Sequence, residues 1–135
     1  MYALAATRDP ALIARVLQMS IGPDVRSQDT VHLVAAVASY PAGRDLAWAF
    51  VREHWTLFVD RYGAGGFAFT RLVRIASGFF TDDALDEINA FFDAHPVPAA
   101  EHALSRVKEE VAGASAWVSE RAGVVCGWLQ VQQSD

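Results

Sequence analysis

One cysteine, Cys126, stands in the 135 residues, which excludes an internal disulfide and a thiolate zinc site. A chain without disulfides suits a reducing compartment, and the expected location is cytoplasmic. Long apolar runs are missing too: no stretch approaches the ~20 residues that cross a bilayer, and Met1 to Pro10 lacks the basic-then-apolar order of a secretory leader. A membrane is not an expected partner. Positive charge is scarce, with 11 Lys and Arg against 16 Asp and Glu and a net charge of -5. Binding driven by phosphate counterion release needs the opposite sign, so nucleic acid is not an expected partner either.

Signatures of catalysis are absent as well. A zinc hydrolase needs two histidines one helical turn apart with a glutamate between them, so that both imidazoles meet one metal and the carboxylate activates its water. His32, His54, His95 and His102 show no such spacing. His95 and His102 share a helical interval, but Pro96 and Pro98 break any helix between them, and both read as exposed helix ends. No Gly-x-Ser-x-Gly elbow is present. Gly63-Ala64-Gly65-Gly66-Phe67-Ala68 fits a relaxed dinucleotide fingerprint, with Asp86 following at about the right interval. That fingerprint works only after a buried strand. Here an amphipathic segment ending in Asp60-Arg61-Tyr62 precedes it, so the glycines read as a helix terminator. Cys126, among Val124, Val125 and Trp128, reads as an inert packed thiol.

What the chain does have is 53% apolar residues, enough for a real core, together with 24 alanines and apolar positions recurring every three and four residues. These predict an all-α fold in a single helical domain, residues 1–135. Trp48, Val51, Trp55, Phe58 and Tyr62 form one stripe, and Leu104, Val107, Val111, Ala114 and Val118 another. Leu46, Phe50 and Leu57 lie off the first stripe, so that segment is expected to pack on two sides.

Cap chemistry sets the boundaries. Asp9-Pro10 opens a helix to about Ser20, closed by Gly22-Pro23. Ser27 or Asp29 caps Gln28 to Ser39, and Gly43 starts a helix from about Arg44 towards Tyr62, bent near His54. Phe67 to Gly78, a Thr81-capped helix to His95, a helix from about Ala99 to Glu120 and a separate terminal segment complete the chain. Tyr2 to Ala6 reads as the end of a helix entered midway. About eight helices with short links predict antiparallel pairs in a HEAT- or armadillo-like α-solenoid, although no tight sequence period is present.

Two polar groupings remain. Arg26, Gln28 and Asp29 lie in a helix-to-helix turn, where such side chains satisfy orphan backbone groups, and this structural turn network is the favoured reading. The alternative is that Arg26, Arg44, Arg71 or Arg74 faces a cavity and holds a carboxylate, which the planar guanidinium suits.

Several stretches read together resemble the C-terminal helical domain of the puromycin-sensitive and endoplasmic-reticulum aminopeptidase family. They are Ala5-Ala6-Thr7-Arg8-Asp9-Pro10-Ala11-Leu12-Ile13, the turn Val25-Arg26-Ser27-Gln28-Asp29, and Pro41 to Phe50 with Gly43 and Trp48, followed by Glu53-His54-Trp55. Phe79-Phe80-Thr81, Phe91-Phe92 and Ala116-Trp117 follow in the family's order. The resemblance implies a HEAT-like superhelix that closes over the catalytic domain of a zinc aminopeptidase and encloses its peptide cavity. The catalytic domain and peptide substrate are then the implied partners, and the arginines become candidate peptide-carboxylate contacts. The zinc-binding His-Glu-x-x-His and the Gly-x-Met-Glu-Asn stretch are absent, so zinc belongs to the implied parent and no cofactor to this chain. The expected role is a non-catalytic lid or regulatory domain, with a free-standing helical-repeat adaptor as the runner-up. A solenoid piece without its upstream repeats leaves one end unpaired. Tyr2, Leu4, Leu12, Ile13 and Val16 are the expected orphan face, coverable by a second copy in a homodimer.

Overall fold

The computed structural model describes residues 7–132, and its regular elements there are all helical. They are α1 (Pro10–Ser20), α2 (Ser27–Ala38), α3 (Pro41–Glu53), α4 (Trp55–Tyr62), α5 (Phe67–Val73), a 3-10 segment (Arg74–Gly78), α6 (Asp82–Ala94), a second 3-10 turn (Pro98–Ala100) and α7 (Glu101–Gln132). The fold class is all-α, as the periodicity requires. Consecutive helices pack together, α1 on α2, α2 on α3 and α6 on α7, while α1 also meets α3 and α2 meets α5.

Local chemistry explains the starts. Asp9 Oδ1 accepts the Ala11 N–H at 2.9 Å with Pro10 at the first helical position, and Thr81 Oγ1 accepts from Ala84 N at 3.3 Å. Packing explains what cap signals miss. Arg26, not Ser27 or Asp29, occupies the cap position of α2 and makes no side-chain cap bond. Helix α3 begins at Pro41, because Tyr40 takes the extended backbone that a following proline demands. Gly43 is therefore inside α3 rather than at its start, and it is there for space: a Cβ would collide with the Val37 carbonyl oxygen and come within 2.7 Å of Val37 Cγ1.

The expected Arg44–Tyr62 helix is two helices broken at His54, whose Nδ1 meets the Phe50 carbonyl at 3.0 Å while its ring lies 4.3 Å from that of Phe50. Both parts bury the predicted stripe, with Trp48, Val51, Trp55 and Phe58 buried, and Phe50 buried off it. The predicted terminal segment is not separate: α7 runs unbroken through it. The Gly63–Gly66 cluster follows helix α4, not a strand, and Gly66 (φ 93°, ψ -174°) takes backbone that only glycine adopts readily. It is a helix terminator, as read.

The core is organised around aromatics. Trp55 lies 5.3 Å from Phe91 and 5.7 Å from Phe92, ring centre to ring centre, and Trp48 5.4 Å from Phe91, mostly edge to face. One indole or phenyl ring buries roughly 150–250 Å², so this quartet joins α3 and α4 to α6 more strongly than any polar contact there. Across the other end, buried Thr30 donates to the Ser20 carbonyl at 2.7 Å and ties α2 to α1. The Ser115 hydroxyl donates to Asp82 Oδ1 at 2.6 Å, joining α7 to the start of α6.

Two expectations about exposure are corrected. Ile13 and Val16 are buried in the core, so they are no orphan face; Leu12 is exposed, and Tyr2 and Leu4 lie outside the described residues, as does the entering helix read at Tyr2 to Ala6. Cys126 is exposed rather than packed, because α7 has left the body before reaching it.

Candidate functional site

Three of the four candidate arginines gather around the 3-10 segment Arg74–Gly78. Helix α5 begins with Phe67, 72% exposed, and one helical turn on Arg71 sets its guanidinium carbon 5.9 Å from the centre of that ring. Arg74 follows at the start of the 3-10 segment. Phe67, Thr70, Arg71 and Arg74 line a cavity of about 390 Å³, and Arg74 also borders an adjoining one of about 200 Å³ with Ala35, Ala38, Ser39, Ile75, Ser77 and Gly78. Arg44 reaches the far end of the same segment from α3. Its Nε lies 2.9 Å from where a Cβ on Gly78 would stand, and its guanidinium carbon sits 5.8 Å over Phe80. Gly78 leaves the room that Arg44 occupies.

The electrostatics separate these arginines. Arg74 lies 3.5 Å from Glu110, which it shares with Arg106 at 4.0 Å, so its charge is partly met. Arg44 and Arg71 have no carboxylate within ion-pair distance among the described residues, and the Nε atom of each is buried without a hydrogen-bond partner. The charge of each is thus met by no carboxylate among the described residues, and an aromatic face supports it instead. Arg52 also has a buried, unpartnered Nε, but it pairs with Glu87 and stacks on Trp48, which makes it a strut between α3 and α6.

Arg26 stands apart from this group, exposed at the start of α2. The hydrogen bonds around that turn are made by backbone groups and by Tyr62 rather than by the Arg26, Gln28 or Asp29 side chains: the Arg26 carbonyl accepts from Asp29 N at 2.8 Å and Thr30 N at 3.2 Å, and Tyr62 donates its hydroxyl to the Ser27 carbonyl. Gln28 is exposed and Asp29 half-buried at the same corner. Sequence reading missed Thr30 and Tyr62 here, and it missed Phe67 and Phe80 as the platforms of Arg71 and Arg44. The Phe67–Arg71 pair carried a findable signal, since residues four apart on a helix are neighbours.

Among the described residues no three His, Cys, Asp or Glu side chains are grouped to hold a metal, and no helix is long and apolar enough to cross a membrane. His95 and His102 are both exposed and flank the Pro96–Pro98 break.

Comparison with known proteins identifies the family of the chain. Residues 1–113 match the model of a family described as ERAP1-like C-terminal domain. Aminopeptidase N of Mus musculus is 30% identical over 137 residues, covering 98% of this chain and 14% of the relative. Aminopeptidase N of Bos taurus is 31% identical over 95% of this chain, and aminopeptidase Ey of Gallus gallus 30% over 96%, again with 14% of each relative covered. The chain thus spans about one seventh of the length of the relatives it matches.

Proposed function

Because this chain belongs to the family of ERAP1-like C-terminal domains, we propose that it is the non-catalytic lid of a zinc aminopeptidase that removes N-terminal residues from peptides. In that role its helices continue a curved, solenoid-like wall around the peptide cavity, and its partners are the catalytic domain and the peptide. The zinc, with its water-activating chemistry, lies in the rest of the parent. The side chains described here do not group as ligands for it. What this chain contributes is surface: Phe67 and Phe80 offer apolar contact, and Arg71 and Arg44 offer guanidinium groups to a peptide carboxylate.

The observation that carries this reading is the pair of unpartnered, half-buried arginines, each stacked on an exposed phenylalanine on either side of one 3-10 segment. A bidentate guanidinium–carboxylate pair contributes about 1.5–3 kcal/mol. Arg71→Gln is therefore expected to weaken the binding of a short apolar peptide with a free carboxyl end by about ten- to a hundredfold, measured by calorimetry. Amidating the peptide end should cost the unsubstituted chain the same factor and Arg71→Gln nothing further. Equal affinity for the acid and the amide would end the carboxylate assignment. Hydrolysis of an aminoacyl fluorogenic substrate by this chain alone, blocked by a chelator, would end the non-catalytic one.

A further inference from the structure

We propose that the cleft where α6 gives way to α7 receives an arginine side chain of a polypeptide partner. The cavity there holds about 540 Å³, more than either cavity beside Arg74, and it shares no lining residue with them. Its apolar surface comes from Phe92 and Val97, both buried, from half-buried Leu104, and from the rings of Pro96 and Pro98. Among the described residues that line it, Asp93 and Glu101 are the ionisable ones, and both are exposed. The lid role proposed above makes no use of this cleft.

Charge selects the occupant. Helix α6 ends at this cavity with no basic residue in its last turn. A continued helix would offer the Phe92 and Ala94 carbonyls the N–H groups of residues 96 and 98, but Pro96 and Pro98 have none. The residues that follow make no hydrogen bond to the carbonyls of Phe92, Asp93 or Ala94. The negative end of α6 thus adds to the two carboxylates. Glu101 lies in the first turn of α7, where its full charge outweighs the roughly half charge at the positive end of that helix. Opposing cations are few: Lys108 reaches Asp93 at 3.9 Å, and Glu101 has no cation within ion-pair distance among the described residues. An anionic ligand is repelled here, and a neutral apolar one gains nothing from the carboxylates. An arginine fits both parts of the lining. Its methylene stem packs along the apolar floor while the guanidinium stays at the rim, and its five N–H donors serve separate acceptors more widely than the three of a lysine. A volume within the range of ligand pockets, roughly 300–1,000 Å³, leaves room for the residues beside the arginine, so the source is a polypeptide rather than a lone cation.

The test is titration of the isotopically labelled 135-residue chain with a tripeptide of arginine between two leucines, both ends blocked, followed by nuclear magnetic resonance. The amide signals of Val97, Glu101 and Leu104 should shift and saturate. The same peptide with citrulline, which keeps the shape and loses the charge, should bind about tenfold more weakly. Glu101→Gln should weaken the arginine peptide by a similar factor and leave the citrulline peptide unchanged. Its helical circular dichroism should stay as it is, since Glu101 is exposed and holds no other group. Asp93→Asn should cost less, because Lys108 already shares that charge. The blocked peptide offers no carboxylate to Arg71, so the result stands apart from the lid reading. Equal affinity for the arginine and citrulline peptides overturns the inference, as does a Glu101→Gln variant that binds the arginine peptide unchanged. Shifts confined to Asp83 and Asp86, exposed elsewhere on α6, overturn it in favour of general charge attraction. Propylguanidinium binding as tightly as the peptide overturns the polypeptide source.

Discussion

Helix α3 stops at Glu53 and α4 starts at Trp55 with neither proline nor glycine at the break, whereas α7 runs 32 residues through Gly113, Gly123 and Gly127 without interruption. Intrinsic propensity alone predicts the reverse, since each glycine costs a helix interior about 1 kcal/mol relative to alanine. The difference lies in what each run touches. Trp48 and Val51 on one side of His54 and Trp55 and Phe58 on the other are all buried, and one straight helix does not seat both sets against α6 and α5. The backbone bends, and the Phe50 carbonyl, which still accepts the His54 N–H at 3.1 Å, also meets His54 Nδ1 at 3.0 Å. Among the described residues none covers α7 from Ser119 to Leu129, where every residue is exposed, and none bends it.

The contrast is sharpest for the tryptophans. Trp55→Ala empties the centre of the aromatic quartet and should destabilise the fold by about 3–5 kcal/mol, read from the midpoint of urea unfolding. Trp128→Ala, on the free half of α7, should leave that midpoint within about 0.5 kcal/mol when measured at concentrations where the chain is monomeric. Comparable losses at the two sites would mean that α7 folds back onto the body.

Glycine separates the regions in the same way. Gly43→Ala forces a methyl into the Val37 backbone where α2 and α3 cross, and backbone gives way poorly. A loss of about 3 kcal/mol is expected, with a matching fall in thermal midpoint. A neutral result would show that the α2–α3 corner relaxes freely. A smaller effect is expected from Thr30→Val, which keeps the shape and leaves the buried Ser20 carbonyl without its donor. That change should cost about 1–2 kcal/mol by the same denaturation measurement.

These examples also mark what the sequence could tell. The Asp9-Pro10 and Thr81 caps, the Trp48-to-Tyr62 stripe and the terminating role of Gly63 to Gly66 were legible because each signal acts within a turn or two of chain. The bend near His54 was legible as a place, though not as a full break; the packing role of Gly43 and the exposure of Cys126 were not legible, because each depends on a neighbour from another helix or on the lack of one. The site divides likewise. Arg71 was a candidate by residue type, but its pairing with Phe67, its unmet Nε and the convergence of Arg44 on the same 3-10 segment required the fold. Arg26 shared the residue type and not the place.

The smallest effect is the most discriminating because its sign reverses. Gly123 occupies a regular helical position on the unpacked half of α7, with φ outside the positive range and no atom within 4 Å of an added Cβ. Gly123→Ala removes the conformational freedom that glycine gives the unfolded chain and introduces no clash, so it should raise local helix stability by about 0.5–1 kcal/mol. Amide hydrogen exchange around Val124 to Trp128, followed in the monomer, reads this directly as slower exchange. The identical change at Gly43 destabilises, since there the methyl has somewhere to collide. If Gly123→Ala instead speeds exchange, that half of α7 is packed against something within the monomer, and the division between a crowded body and a free helical end fails.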